Sequence, residues 1–148
     1  MDPVETAVAA FKGGVNCAQA IVATFGPRYG LDESRAQAVA LPFGGGIAHT
    51  GRTCGAVAGA LMVVGLRCAS AGGPIAEQKK RAYARAGEFI KHFKARTGAD
   101  QCRDLLDCDI STPEGMKRAQ DTDLFKTRCP AFVQAAAEIL QELLAQED

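Results

Sequence analysis

Apolar residues in this chain recur three and four positions apart, and almost nowhere do they alternate with polar ones as a half-buried strand requires. Between Ile75 and Thr97 the stripe Ala82, Ala86, Phe89, Ile90 and Phe93 predicts one face of a long amphipathic helix, stopped by Gly98. Start and stop signals divide the rest in the same way. Asp2-Pro3-Val4-Glu5 supplies a capping acid, a proline at the first helical position and a second acid, for a helix to about Lys12 ended by Gly13-Gly14. Asn16 caps a helix from Cys17 to Phe25, closed by Gly26-Pro27. Asp32 caps a third, with Ala36, Val39, Ala40 and Phe43 on one apolar face, ended by Pro42 and Gly44-Gly45-Gly46. After a loop from Gly44 to Thr53, an apolar helix runs from Cys54 to about Ala69. Its Gly55, Ala56, Gly59 and Ala60 allow neighbouring helices to approach closely. Gly72-Gly73-Pro74 breaks it. A short helix covers Cys102 to Leu106, Ser111-Thr112-Pro113-Glu114 starts another, and Cys129-Pro130 opens the last, which ends near Ala145. There is no repeat and no linker long enough to separate domains. The expectation is an all-α, single-domain bundle over residues 1–148 with about six to eight helices.

The placement of the cysteines changes this picture most. Cys17, Cys54, Cys102 and Cys129 all fall at predicted helix N-termini, where free backbone N–H groups and the positive end of the macrodipole favour an anion. A thiol there is expected to be more acidic than usual, with Arg52, Arg103 and Arg128 pushing the same way. Cys68 and Cys108 fall near helix C-termini, where the dipole opposes a thiolate, and read as ordinary small core side chains. No C-x-x-C occurs, so neither a thioredoxin-type pair nor a zinc ribbon is indicated, and no C-x-x-C-H provides for haem attachment. Separated cysteines can still converge in a bundle. Four thiolates at one point would form a tetrahedral sulfur site suited to an iron–sulfur cluster or to zinc.

Composition narrows the setting. Seventeen basic residues balance seventeen acidic ones, which argues against a nucleic-acid coat or a polybasic membrane anchor. The longest apolar run, Cys54 to Leu66, is too short to span a bilayer, so no membrane insertion is expected. The N-terminal residues MDPVETAVAAFKGG lack a basic export leader, and the expected setting is the reducing cytoplasm. There, six cysteines point to metal or redox chemistry before structural disulfides.

The segments Phe11-Lys12-Gly13-Gly14-Val15-Asn16-Cys17-Ala18-Gln19-Ala20, Phe43-Gly44-Gly45-Gly46 and Gly51 to Ala60 resemble the C_GCAxxG_C_C family of redox-active proteins. The likeness continues through Cys102-Arg103-Asp104-Leu105-Leu106 and Cys129-Pro130, and its most specific part is the CGAxxG stretch Cys54 to Gly59. The resemblance implies that the family's four cysteines are Cys17, Cys54, Cys102 and Cys129, with Cys68 and Cys108 outside the pattern and Cys108 the alternative to Cys102 should the register be altered. A similar region in split-Soret cytochromes is associated with an iron–sulfur centre, and only that part of the analogy reaches this haem-motif-free chain.

Three functions follow as expectations. The first is a small redox protein whose Cys17, Cys54, Cys102 and Cys129 bind an iron–sulfur cluster for electron transfer. The second is a metal-free thiol–disulfide protein, of oxidoreductase type if an enzyme, with Cys54 as the attacking thiol. The third is a zinc-stapled helical module that binds a partner. A redox partner is expected without the sequence naming it, and an Ala-rich core suits a homodimer. His49, in the glycine-rich loop, reads as a solvated side chain, with metal ligation or proton donation to a thiolate as the sharper alternative. His92 is expected at the surface. Gly44-Gly45-Gly46 lacks the Lys-Ser/Thr of a phosphate loop and instead provides positive φ or close backbone approach. The basic residues of the 75–97 helix read as a solvated face.

Overall fold

The computed structural model describes residues 1–146, and among them the secondary structure is helical with no strand. The helices are α1 (Pro3–Lys12), α2 (Cys17–Phe25), α3 (Glu33–Ala40), α4 (Gly55–Ser70), α5 (Ile75–Thr97), α6 (Cys102–Leu106), α7 (Pro113–Asp121) and α8 (Leu124–Ala145). The all-α bundle is as the periodicity predicts. The single domain expected over 1–148 extends two residues, Glu147 and Asp148, outside the described ones.

The capping chemistry operates as read. The Asp2 carboxylate accepts the Glu5 N–H at 3.0 Å. Asn16 and Gln19 form a reciprocal capping box: Asn16 Oδ1 accepts the Gln19 N–H at 2.9 Å, and Gln19 Oε1 accepts the Asn16 N–H at 3.0 Å. On α5, Phe89 and Phe93 are fully buried and His92 is exposed. Phe25, Val57, Phe89, Phe93 and Leu140 belong to one large cluster drawn from α2, α4, α5 and α8. A second cluster gathers Cys102, Leu106, Cys108, Ile110, Ala119 and Cys129. Phe11, Cys17 and Phe132 pack against both, so α1, α2 and α8 join the two cores at the place where cysteines concentrate.

Two expectations need correction. Val39 is 52% exposed, so the apolar face of α3 is carried by Ala36 and Ala40, with Phe43 half-buried in the following 3-10 turn Leu41–Phe43. The last helix does not open at Cys129-Pro130. It begins at Leu124, and Pro130 lies inside it. Pro130 offers no N–H to the Lys126 carbonyl, which ordinarily costs about 3 kcal/mol. The helix continues through it because Leu124 and Phe125 anchor the first turn against the second cluster.

Candidate functional site

Four elements converge on a cavity of about 830 Å³, and Cys17, Cys54, Cys102 and Cys129 all line it. Cys68 and Cys108 do not. Cys68 is buried in the large cluster, and the Cys108 Sγ–H donates to the Gly115 carbonyl at 3.2 Å.

Cys17 is the first residue of α2, directly after the Asn16 cap, and Cys54 is the N-cap of α4. These two helix starts meet because the CGAxxG glycines remove the side chains that would separate them. A Cβ on Gly55 would stand 3.1 Å from Cys17 Cβ, and one on Gly59 would stand 2.9 Å from the Ala18 carbonyl oxygen. Cys102, opening α6, is brought to Cys54 by a backbone clamp that hydrophobic periodicity does not reveal. Thr53 and Gln101 form an isolated antiparallel bridge. Beside it, the Cys54 N–H donates to the Asp100 carbonyl at 2.8 Å, and the Cys102 N–H donates to the Arg52 carbonyl at 2.6 Å. Both bonds use the backbone of a site cysteine, so the two residues are held by the same ladder. Cys129 comes from the second turn of α8, not from its cap.

The glycine loop forms a strap along the same cavity. Gly45, Gly46, Ile47, Ala48 and His49 all have positive φ, between 52° and 68°, a left-handed turn in which glycine is joined by three ordinary residues. Each ordinary residue there costs roughly 1–2 kcal/mol. The turn persists because it is tied at several points. The Ala48 N–H donates to the Pro42 carbonyl at 2.9 Å, the Arg52 N–H to the Gly46 carbonyl at 3.0 Å, and Asn16 Nδ2 to the Leu41 carbonyl at 2.8 Å. Gly46 is required for a second reason: a Cβ there would meet the Arg52 backbone at 2.6 Å and Cys102 Cβ at 2.7 Å. Close approach and positive φ, both expected of this triplet, coincide at that residue. His49 is exposed at the edge of the cavity.

Three of the four thiols, Cys17, Cys54 and Cys102, are raised and not acidified as their helix-end positions predict. Burial pushes Cys54 up to about 11, although the N–H groups of Ala56 and Val57 at the start of α4 pull the other way. Burial likewise pushes Cys102 up to about 12, with the neighbouring thiols adding to the effect. Cys17 is raised chiefly because its thiol hydrogen-bonds Cys129, and burial adds to this. Cys129, receiving that bond, is lowered against the opposing effect of its burial. The helix-terminus effect is therefore present at Cys54 and is outweighed by desolvation. The expected help from arginine is also missing. Arg128 donates to the Leu105 carbonyl at 3.2 Å, and Arg103 acts on Asp109 instead.

No group of three or more His, Cys, Asp or Glu side chains among the described residues is arranged to hold a metal ion. The thiols that line the cavity number four, Cys17, Cys54, Cys102 and Cys129, and thiols are the donors that sulfur-ligated centres use. No helix among the described residues is long and apolar enough to cross a membrane.

A family model described as "Putative redox-active protein (C_GCAxxG_C_C)" matches residues 15–143, nearly the whole chain. No curated protein and no solved structure matches it.

Proposed function

The chain belongs to the C_GCAxxG_C_C family of redox-active proteins, and from that membership we propose that Cys17, Cys54, Cys102 and Cys129 hold an iron–sulfur cluster that serves electron transfer. The observation that carries this reading is the sorting of the cysteines. Four, from four different elements, share one cavity, while the other two are engaged in core packing and a backbone hydrogen bond. Such a cluster would supply one-electron redox chemistry.

The chain's own contribution is arranged around the sulfurs. The Ala56 and Val57 N–H groups at the start of α4 favour the Cys54 thiolate and would stabilise it when a metal replaces the proton. Phe11, Leu105, Leu106 and Phe132 give the cavity apolar walls that restrict water. The high resistance of Cys54 and Cys102 to ionisation without metal means that loading releases protons and is favoured by raised pH. A reducing cytoplasmic setting, in which these thiols stay unpaired, suits the reading.

Anaerobic purification, or reconstitution with iron and sulfide, is expected to give a brown protein with sulfur-to-iron charge-transfer absorption. A colourless, iron-free product after reconstitution contradicts the proposal.

The metal-free thiol–disulfide alternative has one feature in its favour: Cys17 beside Cys129 lowers the Cys129 thiol against the effect of its burial. It moves the attacking thiol from Cys54 to Cys129, with Cys17 placed to resolve it. Alkylation at neutral pH distinguishes the two, since this alternative requires Cys129 to react before Cys54. A zinc-stapled module is the third reading, and stoichiometric zinc with no redox activity would favour it.

A further inference from the structure

The cavity holds more than the thiols need. A sulfur-ligated metal stands about 2.3 Å from its thiolates, so a centre held by the four cysteines takes only a small part of about 830 Å³. That volume lies in the range of small-molecule sites, roughly 300–1,000 Å³. Its lining is also one-sided in charge. Besides the thiols, the titratable side chains that line it are Lys12, Lys126 and His49, and no carboxylate is among them.

The two lysines arise from a repeated local device. Phe11-Lys12 ends α1 and Phe125-Lys126 begins α8. In each pair the phenyl ring is half-buried against the second cluster, and the lysine beside it is exposed. Neighbouring residues on a helix point about 100° apart, so each pair gives the cavity an aromatic wall and a cation at its mouth. Neither lysine is in an ion pair among the described residues. Two cations thus face the mouth of an apolar chamber with no acid lining it to satisfy them.

We propose that this cavity is a binding site for a small organic carboxylate with a flat apolar body, the ring lying between Phe11 and Phe125 and the carboxylate held by Lys12 and Lys126. Holding the charge at exposed lysines keeps the carboxylate at the solvent side of the cavity and spares it the desolvation that the buried thiol end would impose. The site requires only the cavity and the two lysines, so it stands whether or not a cluster occupies the thiols.

Calorimetric titration of the full chain, with thiols reduced and again after anaerobic iron–sulfur reconstitution, tests it with benzoate and its uncharged counterpart benzamide as probes. Benzoate is expected to bind more tightly than about 1 mM in both samples, with benzamide at least about five-fold weaker. Lys12→Gln and Lys126→Gln are each expected to weaken benzoate about five-fold, the effect of an exposed charge pair near 1 kcal/mol, and to leave benzamide unchanged. Both lysines are exposed, and unchanged helical circular dichroism confirms that the variants fold. Absence of benzoate binding, equal affinity for benzamide, or indifference to both lysine substitutions overturns the proposal. So does loss of benzoate binding on iron loading. A chain that takes up no iron yet binds benzoate sinks the cluster reading alone, and a brown chain that ignores benzoate sinks the carboxylate site alone.

Discussion

At Cys54 two opposing effects meet on one sulfur. The free N–H groups of the α4 start pull it towards the thiolate, and burial pushes it back to about 11. Cys102, without such donors among the effects acting on it, is pushed to about 12. The consequence is a pH dependence whose sign follows from linkage. A thiol whose folded-state value is raised stabilises the fold fully below its ordinary value of 9.0, and that contribution is lost as pH climbs through the folded value. Cys129, lowered by its bond from Cys17, acts in the opposite sense and partly offsets Cys17. The metal-free, reduced protein is therefore expected to lose thermal stability as pH rises from 9 towards 11, measured by circular dichroism melting. A melting temperature that climbs across that range contradicts the burial argument. The strap provides a second residue-level test. Ala48 has φ 52°, so Ala48→Gly is expected to stabilise the fold by about 1 kcal/mol in urea unfolding, against the usual destabilising effect of glycine.

Elements meet at this site through glycine and through a single backbone bridge. Gly46→Ala is expected to destabilise the protein by about 3 kcal/mol, because its Cβ would strike the Arg52 backbone and Cys102 Cβ in a strained left-handed conformation. The same urea unfolding measures it, and a loss under 1 kcal/mol would mean the strap shifts freely. These contacts also mark what sequence reasoning reached. Caps such as Asn16, and breaks such as Gly98, were legible because they are local chemistry within four residues. The α4 small residues announced close packing, although not its partner. The pairing of Thr53 with Gln101 was hidden, since one isolated bridge leaves no periodic trace. Pro130 misled because proline usually marks a first turn, whereas Leu124 and Phe125 hold an earlier start that tolerates it. Helix ends singled out Cys17, Cys54 and Cys102, which with Cys129 line the cavity; for Cys129, inside α8, the assumed helix end was wrong, and the acidity inferred from the ends failed because burial is a property of the assembled fold.

On the scale of the whole molecule, two of the three hydrophobic clusters among the described residues pack against each other, and the four cavity-lining thiols stand where they meet. Protonated thiols bury readily as small apolar side chains, so it is their gathering at one cavity, and not burial itself, that sets these four apart. Cys108 shows the contrast. It lies in the same cluster as Cys102 and Cys129, but its thiol is spent on the Gly115 carbonyl. Cys108→Ala is expected to lower stability by about 1 kcal/mol and to leave any metal content untouched. The most direct test of the central claim is the iron and acid-labile sulfide content of six anaerobically reconstituted single variants, each cysteine replaced by alanine in turn. The account predicts loss of most iron and of the charge-transfer absorption in the variants at Cys17, Cys54, Cys102 and Cys129, with wild-type content in those at Cys68 and Cys108. Iron binding that is absent throughout, or that depends equally on all six cysteines, contradicts it.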